Sequence, residues 1–308
     1  MNIQQLEYIV AVDQERHFQK AANLCHISQP TLSMMIQKLE DELGVKIFDR
    51  RKKPIIVTEE GERVLELARS ILHTTKQLKD VAIADGKELT ADLHIGIIPT
   101  LAPYLLPLFI KTFSVSYPGV KLKITELTTE RIIDRLRNSS LDVGILATPL
   151  HEKSIKEDVI FYERFLVYNS TTYKKKYVST DDIEPDKLWL LEEGHCFRSQ
   201  IINLCQLQKQ TDKQLEYQAG SFETLKRLVD IQQGLTILPE LATLQLSAKE
   251  KKYLTEFKVP APTREISLCT HRDYINQRVI NALKESIVSS IPDEILKTKG
   301  KNRIEIQN

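Results

Sequence analysis

Long apolar runs, metal-ligand clusters and a dominant charge sign are all missing from this 308-residue sequence. No stretch approaches the roughly 20 apolar residues that cross a bilayer, and the opening residues lack the charged start, apolar middle and small-residue cleavage site of an export signal. The chain is therefore expected in the cytoplasm, with no membrane partner. Cysteine is scarce: there are four, none in zinc spacing with histidine, so neither a disulfide framework nor a structural metal is expected. Walker loops, dinucleotide fingerprints and nucleophile elbows are also missing, so no cofactor and no enzyme activity are expected. A net charge of +1 excludes a chain coated in positive charge but leaves room for a local basic element.

What remains is an ordinary globular composition, 42% hydrophobic and 28% charged, in a chain long enough for two or three domains. In the first ninety residues, apolar side chains at helical spacing predict helices over 3–14 and 18–25. A third should start behind the N-cap Ser28 and stop at Gly44, with Leu32, Ile36, Leu39 and Leu43 inward. Two short helices joined by a tight turn suggest a helix-turn-helix. The outer face of the second carries Gln29, Pro30, Thr31, Ser33, Met34, Gln37 and Lys38, short or polar groups suited to base edges in a major groove. Arg50, Arg51, Lys52 and Lys53, followed by Ile55–Thr58, read as the tip and second strand of a wing that meets phosphate. Alone, four basic residues would be a solvated loop.

From Glu59 to Ile83 the pattern is helical again. Val64, Ala68, Ile71, Thr75, Leu78 and Ala82 alternate four and three apart, as in a coiled-coil seam that a second copy would bury. A long helix packed on its own domain is the other reading. A hinge is expected at 85–88. Beyond it, strands at 93–97, 122–126 and 143–146 alternate with helices at 103–116 and 129–138, which argues for a parallel sheet with ligands at strand ends near Thr100 and Thr129. A second α/β lobe begins near 165, and 265–270 returns as a strand to the first. The tail from Lys297 is polar and expected to be without order.

In the second lobe, 189–191 reads as a buried strand, 192–194 as a turn, and the following residues as a helix with Phe197, Ile201, Leu204 and Cys205 on one face and Arg198 and Gln200 outward. Cys196 falls at the head of that helix between His195 and Arg198, where free N–H groups and a guanidinium favour thiolate. Cys205, nine residues on, is about 13 Å along the axis and on the opposite face, so a bond between the sulfurs would need the helix to unwind. The same spacing also suits two cysteines filling small apolar gaps.

Five motifs, Ala21-Ala22, 28–33 (Ser-Gln-Pro-Thr-Leu-Ser), 38–44 (Lys-Leu-Glu-Asp-Glu-Leu-Gly), 48–50 (Phe-Asp-Arg) and 58–61 (Thr-Glu-Glu-Gly), resemble the winged helix-turn-helix of LysR-type transcriptional regulators. The resemblance implies an N-terminal all-α winged helix-turn-helix with a long linker helix and a C-terminal α/β, two-lobed effector domain built like a periplasmic binding protein. On that scheme residues 1–58 bind DNA, 59–87 form the dimerising linker helix and hinge, and 88–300 are the effector domain. Lobe I is then 91–162 with 266–296, lobe II 163–265, and 301–308 a polar tail.

Residues 96–100 (Gly-Ile-Ile-Pro-Thr), 191–198 (Leu-Glu-Glu-Gly-His-Cys-Phe-Arg) and 221–225 (Ser-Phe-Glu-Thr-Leu) further resemble the peroxide-sensing branch of the family. This implies that Cys196 is the peroxidatic and Cys205 the resolving cysteine, and that Thr100, Thr129, His195, Arg198 and Arg264 surround the peroxide. The implied partners are double-stranded promoter DNA, hydrogen peroxide as signal, a homodimer through the linker helix paired into a homotetramer, a cellular thiol reductant, and RNA polymerase. At Ser199 the chain departs from the pattern, which has an acid there. A regulator answering a small metabolite in the interlobe cleft is the alternative, and a thiol peroxidase a third reading that the DNA-reading segment opposes.

Overall fold

The computed structural model describes residues 1–83, 89–170, 176–191, 196–205, 220–232 and 234–304. They divide into two compact units, one built on Met1–Gly86 and one on Lys87–Leu136, Leu141–Asp273 and Gln277–Asn308.

The first unit opens with α1 (Ile3–Glu15), α2 (Phe18–Leu24) and α3 (Gln29–Leu43). Each begins where a side chain can satisfy a free N–H: Asn2 forms a capping box with Gln5, His17 accepts from Gln19, and Ser28 Oγ accepts from Thr31 N. Gly44 closes α3 at φ 70°, a left-handed conformation glycine adopts without strain. Leu6, Ile9, Val12, Ala21, Ala22, Leu32, Ile36 and Leu39 form one core. Each large member stabilises the unit by about 1.5–3 kcal/mol. Leu43 is not among them and lies exposed; the inward position beside Leu39 is Glu40, whose Oε1 accepts the backbone N–H groups of Ile47 and Phe48. Strands β1 (Phe48–Asp49) and β2 (Ile56–Val57) pair antiparallel as a short wing.

Helix α4 spans Glu59–Ile83. Its apolar residues serve two surfaces. Leu65 and Ala68 are buried in the unit's own core, with Val64 and Leu72 packed against it. Leu67, Ile71 and Leu78 are 67, 42 and 66% exposed. The predicted seam is therefore corrected: Val64 and Ala68 face inward, and the uncovered row starts at Leu67. The side chain of Ala82 and the hinge at 85–88 lie outside the described residues.

The second unit is built on one mixed eight-stranded sheet. Strand β3 (Ala91–Ile97) pairs parallel with β4 (Val120–Glu126) and β5 (Val143–Thr148), with α5 (Ala102–Ser116) and α6 (Thr129–Arg137) as the crossovers. The chain then runs straight through both lobes in β6 (Ile155–Asn169), fifteen residues long. After β7 (Tyr177–Val178) come α7 (Cys196–Leu204), α8 (Phe222–Gln232), β8 (Leu235–Pro239), α9 (Glu240–Thr243) and β9 (Leu254–Phe257). Strand β10 (Thr263–His271) returns antiparallel between β5 and β6. Helices α10 (Gln277–Ser290) and α11 (Asp293–Leu296) close the fold.

Two expectations give way here. Trp189 and Leu190 are not a strand: beside β8 the chain makes the isolated bridge Leu188–Leu235, the bond from Trp189 N to Leu235 O (2.8 Å) and the bond from Thr236 Oγ1 to Trp189 O (2.8 Å). The tail after Lys297 is ordered as far as Ile304, where it pairs with Thr263. Its last residues, 305–308, lie outside the described set.

Candidate functional site

Where the two lobes meet on their shared strands, β10 presents Arg264, which is fully buried. A guanidinium out of water needs its charge and its N–H groups matched. Glu163 on β6 supplies the charge, its Oε1 accepting from Arg264 Nε at 2.8 Å, while Glu163 Oε2 accepts from Leu241 N at 2.9 Å. Arg264 Nη1 donates to Thr100 Oγ1 at 3.1 Å, and Nη2 to Thr100 O at 3.4 Å, at the carboxyl end of β3. The guanidinium carbon stands 5.1 Å over the ring of Phe197, the second residue of α7. One side chain thus joins both lobes and the head of α7. Burial pushes the Glu163 carboxyl above the usual range, and the charge of Arg264 opposes that shift.

Cys196 is the first residue of α7, buried and reduced. Burial raises its thiol above the ordinary value; the Thr129 hydroxyl, the Arg264 charge and the N–H groups of Phe197 and Cys196 itself pull the other way. The expected low-pKa thiol is therefore corrected, because desolvation outweighs the groups that favour thiolate. Thr129 Oγ1 lies close enough to influence the sulfur, yet it is buried with no hydrogen-bond partner of good geometry among the described residues. An unpartnered buried hydroxyl costs about 1–3 kcal/mol, and here it adjoins a nucleophilic sulfur.

Cys205 follows the last turn of α7, half-buried, its N–H donating to Ile201 O at 3.0 Å. Burial alone pushes its thiol up to about 11. While α7 is helical the two sulfurs remain about 13 Å apart along the axis. Phe197 anchors the helix between Phe165 and Phe222, with ring centroids 5.1 and 5.0 Å away.

The structure thus brings Thr129 and Arg264 to the buried thiol of Cys196, with Thr100 joined to the set through Arg264. It does not bring Arg198 there: its Nη1 donates to Leu191 O at 2.9 Å, and the cation that acts on the sulfur is Arg264. His195 and the turn at 192–194 lie outside the described residues. Sequence reasoning missed Glu163 and Gln200. The signal for Glu163 was a charge at a buried register of a strand; Gln200, read as outward, is 0% exposed. Cys269 is buried in β10 and Cys25 half-buried in the first unit. Among the described residues no group of three His, Cys, Asp or Glu could hold a metal, and no helix is long and apolar enough to cross a membrane.

On the first unit, Pro30, Thr31, Met34, Gln37 and Lys38 are exposed along α3, with Gln29 and Ser33 half-buried. Arg51, Lys52 and Lys53 are exposed at the wing tip. Arg50 is engaged otherwise: it donates to Ser33 Oγ at 3.1 Å and Glu40 Oε2 at 3.2 Å and stands over Phe18, fastening the wing to α3.

A winged helix-turn-helix joined to a two-lobed sheet domain defines a class of DNA-binding regulator, and comparison with known proteins agrees. Residues 3–62 match the bacterial regulatory helix-turn-helix protein, lysR family, and residues 86–291 match the LysR substrate binding domain. The chain belongs to the LysR family. Within it, the chain is similar to hydrogen peroxide-inducible genes activators: 38% identical over 272 residues to that of Dickeya chrysanthemi (87% of this chain, 88% of that one), and 34% identical over 299 residues to that of Haemophilus influenzae (96% and 97%). It is 36% identical over 271 residues to the DNA-binding transcriptional dual regulator OxyR of Escherichia coli (87% and 88%). Among solved structures, a full-length OxyR variant from Pseudomonas aeruginosa superposes with a TM-score of 0.79 at 32% identity, covering 94% of this chain and 99% of that one. A hydrogen peroxide-bound cysteine variant of OxyR from Corynebacterium glutamicum superposes with a TM-score of 0.62 at 28% identity, covering 94% and 92%.

Proposed function

We propose that this chain is a hydrogen-peroxide-sensing regulator of transcription, switched by a reversible disulfide between Cys196 and Cys205. The observation that carries the reading is the buried Cys196 thiol beside Arg264 and the unpartnered hydroxyl of Thr129, with a second thiol at the far end of the same short helix.

The chemistry follows from these groups. Cys196 loses its proton, and Arg264 with the first N–H groups of α7 stabilises the thiolate. The sulfur attacks one peroxide oxygen: an S–O bond forms, the O–O bond breaks, and the departing hydroxide takes a proton to become water. Thr129 offers the free hydroxyl that holds a peroxide oxygen, and Thr100, fixed by Arg264, borders the same space. Cys205 then attacks the sulfenic sulfur: the S–S bond forms, the S–O bond breaks, and a second water leaves. Two thiols and one peroxide become one disulfide and two waters. A cellular dithiol reverses the step by exchange.

Because the disulfide requires Cα atoms within about 7 Å, α7 cannot stay helical between the two sulfurs. Its unwinding withdraws Phe197 from between Phe165 and Phe222 and so reshapes the effector domain. The output is binding of double-stranded promoter DNA by the outer face of α3 and the wing residues Arg51, Lys52 and Lys53. Paired half-sites call for a homodimer through the Leu67, Ile71 and Leu78 row, and two dimers form the tetramer. RNA polymerase is the downstream partner, and the cytoplasm the compartment.

The test is mass spectrometry of the reduced chain after brief exposure to low peroxide. A Cys196–Cys205 link is expected, and Cys205→Ser should accumulate sulfenic acid at Cys196 instead. Thiols that stay free at both positions would overturn the reading and leave a metabolite-responsive regulator.

A further inference from the structure

The last described residues are tied to the switch helix. Residues 299–304 run beside the start of β10. There Thr263 N donates to Asn302 O at 2.9 Å, Ile304 N to Thr263 O at 2.9 Å, and Asn302 Nδ2 to Pro260 O at 3.0 Å. Arg303 Nη1 donates to Glu265 Oε2 at 2.9 Å, on a carboxylate that also accepts from Thr148 and Tyr162. Gly300 lies flat on the Tyr162 ring, where a Cβ would come within 2.4 Å of Cε1. A backbone ladder and an ion pair thus anchor this short segment to the strand that carries Arg264, and a packed glycine sets it against the neighbouring β6.

From that anchorage Ile304 O accepts a hydrogen bond from Gln200 Nε2 at 3.0 Å. Gln200 lies four residues after Cys196, on the same face of α7, and its Oε1 is buried without a partner. Among the described residues its side chain therefore has one firm tie, and that tie is to the tail. Gln200 also lies between the two cysteines. Any path that brings Cys196 and Cys205 within bonding distance must move the backbone that carries it, while the tail's other anchors sit on β10, on Pro260 just before it and on Tyr162 of β6.

We infer that the C-terminal segment ending at Ile304 is a positioning element of the redox switch. Through Gln200 it holds α7 helical, slows closure of the Cys196–Cys205 disulfide and stabilises the reduced form, while leaving the first oxidation of Cys196 unaffected. Closure breaks the Gln200–Ile304 bond, so the tail loosens in the oxidised protein. This rests on the peroxide reading above, because it assigns a role within that same two-thiol sequence.

The experiment uses the full chain, a chain ending at Lys299, and the milder variant Arg303→Gln, each compared for folding by circular dichroism. In a Cys205→Ser background, sulfenic acid formation at Cys196 should proceed at the unaltered rate in all three. With both cysteines present, disulfide closure should be about tenfold faster in the shortened chain. Its midpoint potential should be more negative by about 30 mV, the equivalent of tenfold for a two-electron couple. Arg303→Gln should move both in the same direction by less, and it carries the test if the shortened chain does not fold. Trypsin should release the tail faster from oxidised than from reduced protein. Closure rate and potential that stay unchanged in a folded variant would overturn the inference while the peroxide reading stands. Slower oxidation of Cys196 in the tail variants would overturn it too, by making the tail part of the peroxide site. No disulfide in the unaltered chain would remove both.

Discussion

Replacing Arg264 with glutamine tests the centre of the site, because the structure makes its consequences depend on pH. Arg264 and Glu163 are both fully buried and meet at 2.8 Å. Removing one partner of such a pair strands the other charge out of water, at a cost of about 3–5 kcal/mol. Glu163 would keep only the Leu241 N–H as a partner. Its carboxyl is already raised by burial, and without Arg264 the Leu241 N–H is left to oppose that rise. A carboxyl whose native pKa exceeds its unfolded value favours folding below the unfolded value, and that contribution is lost as pH rises through the native one. Arg264→Gln should therefore lose most stability near pH 8 and much less near pH 5, where Glu163 can take up a proton.

The assay is urea unfolding at both pH values, followed by the fluorescence of Trp189, the single tryptophan, which sits in the effector domain. The double variant Glu163→Gln/Arg264→Gln should recover most of the loss, since two amides carry no buried charge. It should still oxidise Cys196 more slowly than the unaltered chain, having lost the cation that favours thiolate. A loss equal at both pH values, or a double variant no more stable than the single one, would refute the claim that a mutually compensating pair holds this site.

Thr129→Val removes a buried hydroxyl with no well-aligned partner among the described residues, so the fold should be unharmed or slightly more stable, while Cys196 oxidation should fall about tenfold or more, read by sulfenic acid trapping. Because burial raises the Cys196 thiol, its oxidation rate should climb about tenfold per pH unit from pH 6 to 8, and a flat profile in stopped-flow measurements would contradict the buried-thiol account. Leu67→Glu should weaken self-association in sedimentation experiments, whereas Ala68→Glu, on the buried face of α4, should unfold the first unit instead. Lys52→Ala should weaken binding to unrelated DNA sequences alike and lower the salt slope by about one, as the loss of one phosphate contact requires.

The first unit was legible because its helices are amphipathic and capped by local residues, so a dozen consecutive side chains carry the whole signal. The cysteine pair stood out for a similar reason: spacing is a local property. What escaped was decided by partners far along the chain. Gln200 looks outward in a helical pattern, and only the tail, a hundred residues later, makes its burial possible. Arg198 looked like the cation beside Cys196 because it is near in sequence, whereas Arg264 arrives on a strand 68 residues further on. Charged residues hid β6 for the same reason. Glu157, Asp158, Glu163 and Arg164 break its apolar run, and the need for Glu163 appears only when Arg264 lies against it.

The length of α7 also explains how peroxide can operate the switch. At nine residues it is shorter than the roughly 12–15 at which isolated helices become even marginal, so its helicity comes from packing and from its end contacts. Phe197, Ile201 and the tie from Gln200 supply them. Oxidation would put a polar oxygen on a buried sulfur, which disfavours the packed arrangement at the head of the helix. Meanwhile burial pushes the Cys205 thiol up to about 11, which disfavours its thiolate while α7 stays helical. Unwinding removes that burial, so the motion that brings Cys205 to the sulfenic acid also returns its pKa toward the ordinary range. On the proposed two-thiol reading, Cys205 would become the better nucleophile as α7 unwinds, so the fold itself would set the order of the two steps.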